Sequence, residues 1–123
     1  KGMITHGKIK HEDIFQELTK YKVGFLGYND EEARPIHVNY AKMCVPNKAF
    51  DYMAVGVPSL SYNLGYSERY VKNWGVCCQK KEELVEGYYK AKELDLTKID
   101  KEKYLLDKYK KTLNAIYELA FSL

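Results

Sequence analysis

Short apolar runs separated by amphipathic stretches set the rhythm of this chain of 123 residues. Residues 3–5 read as a first strand, and residues 12–21 place Ile14, Phe15 and Leu18 at helical spacing opposite a charged face. The run 23–27 is apolar without alternation, which predicts a strand of a parallel sheet covered on both faces. A polar loop over 29–34 and an irregular piece over 36–44 come next. A helix is then predicted over 48–55. Pro46 holds Val45 extended, Asn47 is the expected N-cap, Gly56 suits a left-handed C-terminal position and Pro58 stops the helix. Its packing stripe is predicted to be Phe50, Met53, Ala54 and Val57.

Residues 59–62 form the next predicted strand. A turn at 64–66 leads to a helix capped by Ser67 and running to about residue 74, then to a strand at 75–78. A helix over 81–94 turns Leu84, Val85, Tyr88 and Ala91 inward, with Gly87 as a tolerated interruption. A longer helix over 100–121 carries Leu106, Tyr109, Leu113, Ile116 and Ala120 as one apolar stripe, with lysines on the remainder. Repeated alternation of strand and helix predicts an α/β fold over a single domain, 1–123: a Rossmann-like open parallel sheet flanked by helices, with right-handed crossovers.

Ligands of such sheets bind outside the carboxyl ends of the strands. The loops expected there are 5–9, 28–47 and 62–67, so the start of the helix at 48–55 falls on the functional edge. Its first turn offers unpaired backbone N–H groups and about half a positive charge of dipole, and Lys48 adds a full charge beside them. Asp51 lies one turn beyond Asn47 and leans back toward the same spot. An anion cradle and an acceptor for sugar hydroxyls are therefore expected side by side.

Composition narrows the chemistry further. Apolar residues make up 46% of the chain and charged residues 30%, as in folded globular proteins. The formal charge of +3 comes from 20 basic and 17 acidic residues spread along the chain, without the dense basic block that a nucleic-acid surface favours. No nucleic-acid partner is expected. His6, His11 and His37 show no ligand spacing, so no metal is expected. Cys44, Cys77 and Cys78 are odd in number, and adjacent cysteines bridge poorly, which favours reduced thiols and a cytoplasmic location. No apolar run approaches the roughly 20 residues that span a bilayer, and no signal-peptide pattern opens the chain. The first methionine is Met3, so the chain is expected to be a piece of a longer protein.

The run VPNKAFDYMAVGVPSL, residues 45–60, resembles the donor-binding motif of retaining glycosyltransferases with the two-domain GT-B fold (family 4-like, group 1). In that family a P-N-K or related turn precedes a helix that bears an acidic residue and ends in A-x-G-x-P. Residues 6–9, His-Gly-Lys-Ile, resemble the family's glycine turn, and residues 66–71 with Gly75 resemble its downstream loop, helix and glycine. The resemblance implies the C-terminal, nucleotide-sugar-binding half of a GT-B enzyme, with an acceptor-binding domain preceding Lys1. Asp51 would accept hydrogen bonds from the ribose, Asn47 and Lys48 would hold the diphosphate, and Gly7 and Ile9 would lie near the base.

Many relatives carry two glutamates eight positions apart; here the positions hold Met43 and Asp51. No catalytic residue is assigned. The implied reaction is transfer of a glycosyl group from a nucleotide diphosphate sugar to an acceptor with retention, without cofactor or metal, and this chain alone is expected to be inactive. Peripheral membrane contact at the cytoplasmic face follows if the acceptor is lipid-linked. The alternatives are a non-catalytic GT-B-like interaction module and a nucleotide-sugar epimerase domain.

Overall fold

A computed structural model describes residues 7–27 and 43–122. Expectations for residues 3–5 and 29–34, for most of 36–44, and for His6 and His37 lie outside the described residues. The described elements are α1 (Ile14–Leu18), β1 (Gly24–Gly27), α2 (Asn47–Val55), β2 (Ser59–Tyr62), α3 (Glu68–Val71), β3 (Gly75–Cys78), α4 (Leu84–Lys92) and α5 (Lys110–Phe121), with single 3-10 turns between several of them. The strands form one parallel sheet in the order β1-β2-β3. Gly24, Ser59 and Gly75 stand in register, as do Leu26, Ser61 and Cys77. This is the open, helix-flanked parallel sheet of an α/β fold.

Because strand side chains alternate, register assigns each face. Leu26 faces α2 and α3, where it joins Ala49, Met53, Leu64, Val71, Trp74 and Leu96 in the buried core. Leu60, Val76 and Cys78 face α4. Phe25 shares that second face but is half exposed, so β1 alternates buried and open positions rather than being covered on both sides as predicted. The hydroxyls of Ser59 and Ser61 and the Trp74 indole N–H are fully buried and have no hydrogen-bond partner among the described residues.

Two helices bury only part of their predicted faces, α2 keeping Phe50, Met53 and Val57 against the core and α4 keeping Leu84 and Ala91 covered. In α2 the buried residues are Ala49 and Met53, with Phe50 half-buried, whereas Ala54 is exposed and its carbonyl accepts a 3.0 Å hydrogen bond from Lys101 Nζ. In α4 Val85 and Tyr88 are exposed, and Gly87 and Ala91 are buried. A Cβ on Gly87 would meet Cys78 Sγ at 2.6 Å and Leu60 Cδ1 at 2.9 Å, so the missing side chain is what lets α4 lie against the sheet. Gly24 does the same for the Tyr52 ring, and Gly75 for the Ser59 backbone.

The predicted helix over 100–121 is broken. Turns of 3-10 helix at Lys101–Tyr104 and Leu106–Tyr109 precede α5. The Tyr104 ring meets Trp74 edge-on at 5.2 Å and Phe50 at 6.1 Å, which ties this segment to the core. Beyond it the stripe residues Leu106, Tyr109, Ile116 and Ala120 are exposed, and only Leu113 is partly covered.

Candidate functional site

The start of α2 is built by backbone rather than by a capping side chain. Pro46 occupies the N-cap position in an extended conformation, and its carbonyl accepts the Ala49 N–H at 3.0 Å. Asn47 is therefore the first helical residue and not the predicted cap. The fixed φ of proline and the early Pro46–Ala49 bond begin the helix one residue sooner than a side-chain cap would. At the other end Gly56 is left-handed at φ 77°, and its N–H and that of Val57 close onto Met53 and Tyr52 carbonyls, as expected.

This leaves the Asn47 and Lys48 N–H groups without a hydrogen bond among the described residues, at the positive end of a nine-residue helix. Both residues are exposed. Lys48 and Pro46 share a cavity of about 40 Å³ with Leu26, Gly27 and Leu64. Since Gly27 ends β1 and Leu64 follows β2, the helix start lies at the carboxyl edge of the sheet. The cavity has room for little more than one water, at about 30 Å³ of liquid volume each. An anion would rest above its rim against the free N–H groups.

Asp51 is half-buried one turn further along. Burial raises the pKa of the neighbouring Tyr52 phenol, and the Asp51 carboxylate adds to the shift. Tyr52 lies flat over Gly24, so the two anchor the second turn of α2 to β1. Gly7 and Ile9 are exposed in an irregular segment before the first turn, and they are not among the walls of the Lys48 cavity. Met43 is 76% exposed.

The loop after β2 carries further features. Asn63 and Gly65 are left-handed at φ 49° and 61°. Ser67 stands at the N-cap of the next helix as predicted, but its buried hydroxyl donates to the Leu64 carbonyl at 3.4 Å instead of capping, and α3 ends at Val71, short of the predicted residue 74. Glu68 opens α3 and accepts a 2.6 Å hydrogen bond from the Gln79 side chain, which joins this helix start to the end of β3. The Arg69 guanidinium lies 4.3 Å from the Tyr66 ring centroid and 4.7 Å from that of Tyr70, and donates to Tyr70 Oη at 2.7 Å. The signal was the Y-x-x-R-Y spacing, which puts the arginine within reach of both rings.

Cys78 is buried, and Cys44 and Cys77 are partly so. Burial raises the thiol pKa of both Cys77 and Cys78. Among the described residues no group of three His, Cys, Asp or Glu side chains is placed to hold a metal ion, and no helix is long and apolar enough to cross a membrane. No family model, curated protein or solved structure matches the chain.

Proposed function

We propose that the chain binds the donor of a retaining GT-B glycosyltransferase and forms the C-terminal, nucleotide-sugar half of that enzyme. The observation that carries this reading is the start of α2. Two unbonded N–H groups, the Lys48 ammonium and the helix dipole converge at the carboxyl edge of a parallel sheet, with Asp51 one turn away. Asn47 and Lys48 hold the diphosphate and Asp51 accepts the ribose hydroxyls. As the glycosyl bond breaks, negative charge grows on the leaving diphosphate, and donors already aimed at that position stabilise it without reorganising. Gly7 and Ile9 approach the base once donor is bound.

Binding of uridine diphosphate and guanosine diphosphate, followed by calorimetry, tests this. Millimolar or tighter affinity for one of them, lost in Asp51→Ala and weakened in Lys48→Ala, is the expected result. Equal affinity in wild type and both variants removes the site assignment. The exposed thioether at Met43 favours a second reading, a GT-B-like module that binds without catalysing, because it places no carboxylate where relatives have one. Donor hydrolysis or transfer by a longer protein containing this chain would exclude that reading, whereas nucleotide binding with no turnover of any nucleotide sugar would favour it.

A further inference from the structure

The free edge of β3 carries a feature unrelated to the start of α2. Its inner edge is engaged by β2, with Ser59 N–H on the Trp74 carbonyl and Asn63 N–H on the Cys78 carbonyl. Backbone groups alternate across a strand, so the N–H and C=O of Gly75 and Cys77 point outward. Among the described residues they have no hydrogen-bond partner. Sheet edges are commonly guarded by lysine, proline or a bulge on the strand itself. β3 reads Gly-Val-Cys-Cys and has none of these.

A hollow flanks this edge on each face. One, of about 530 Å³, runs along α3 past Glu68, Arg69 and Lys72 to Cys77. The other, of about 270 Å³, runs along α4 past Glu83, Glu86 and Lys90 to Val76 and Cys78. Their charges are of opposite sign. In the first, Arg69 is fixed between two tyrosine rings and Glu68 is engaged by Gln79, leaving a net positive wall. In the second, Glu83 is held by the Gln79 and Lys80 N–H groups, which lower its pKa and keep it ionised, while Lys90 pairs with Glu86 at 2.6 Å. That wall is net negative.

We propose that β3 is a docking edge for an extended segment of a partner protein that adds a fourth strand, with an acidic and a basic residue adjacent in its sequence. Adjacent residues of a strand point to opposite faces, so one such pair fills both hollows at once, the acid toward Arg69 and Lys72 and the base toward Glu83 and Glu86. A second copy of this chain fits less well. A two-fold axis through paired β3 edges keeps each face on its own side, and so sets Arg69 and Lys72 against their own counterparts.

The test uses the whole chain, isotope-labelled, and a synthetic hexapeptide of alternating threonine and valine with a central Asp-Lys pair. Saturable shifts of the Gly75 and Cys77 amide signals are expected, and they should vanish when alternate peptide amides are N-methylated. A Lys-Lys peptide should bind at least several-fold more weakly than the Asp-Lys peptide and overtake it in the Lys72→Glu variant, whose exposed position leaves the fold intact. Absence of saturable shifts at these two amides, retention of binding by the N-methylated peptide, or indifference to Lys72→Glu would each overturn the proposal. So would concentration-dependent shifts at the same amides without peptide, which would put a second copy on the edge.

Discussion

The cluster around Trp74 and the face of α5 are built from the same kinds of residue and end in opposite states. Around Trp74, the Phe50, Tyr70 and Tyr104 rings pack beside Leu26, Met53 and Val71, and the indole is fully buried. Twelve residues beyond Tyr104 the pattern is still helical and apolar, yet Ile116 is 58% exposed and Leu119 70%. An apolar stripe states that a helix has a face to bury, but it does not state where the partner is. Three strands and α2, α3 and α4 supply partners for each other; α5 has none among the described residues, and a lone helix of about 12 residues is marginal in water.

Substitutions should reproduce this division. Trp74→Ala should cost about 3–5 kcal/mol, enough to unfold a marginal domain, as read by denaturant titration. Gly75→Ala should cost about 1–3 kcal/mol, because its Cβ would meet the Ser59 backbone, which cannot rotate away as a side chain could. Gly56→Ala should cost about 1 kcal/mol through the left-handed backbone alone, since open space surrounds that position. Ile116→Ser should change stability by less than about 0.5 kcal/mol. A loss as large for Ile116→Ser as for Gly75→Ala would mean that α5 belongs to the core after all. Hydrogen exchange sharpens the same contrast, with slow amides in β2 and fast ones through 115–119.

A smaller, pH-dependent effect belongs to the turn after β3. Backbone N–H groups of Gln79 and Lys80 lower the Glu83 pKa below its ordinary value. A depressed folded-state pKa gives stability that is present above the unfolded pKa and lost as pH falls through the folded one. Acid titration followed at the Gln79 amide should show this loss below about pH 4, and Glu83→Gln should abolish the pH dependence of that signal. An unchanged acid profile in the variant would remove Glu83 from the turn.

The sheet and its order of elements were legible because β1 and β3 are compact apolar runs, and β2 is a short segment set off by Pro58 before it and Asn63 after it. What escaped was phase and contact between distant residues. Gly87 reads as a weak point in a helix until Cys78 and Leu60 are seen against it. Ala49 and Ala54 are indistinguishable by composition, and only the position of β1 and β2 decides which is buried. Asn47 has the chemistry of a cap, but Pro46 takes the place through its carbonyl. The break at Leu105 escaped too, since Tyr104 turns toward Trp74 in a contact no local pattern encodes. Of the candidate site, Lys48 lies at the carboxyl edge, where the rule for parallel sheets puts it, whereas the Tyr66–Arg69–Tyr70 stack emerged only with the fold.

The start of α2 is the part of the molecule on which the functional reading stands. A titration of the labelled chain with uridine diphosphate and guanosine diphosphate, read at individual backbone amides, addresses it directly. Saturable shifts at the Asn47 and Lys48 amides with one of these nucleotides, absent in Asp51→Ala while the core amides of β2 stay unchanged, are predicted. Shifts confined to other surfaces, or none at millimolar nucleotide, would contradict a donor site at this helix.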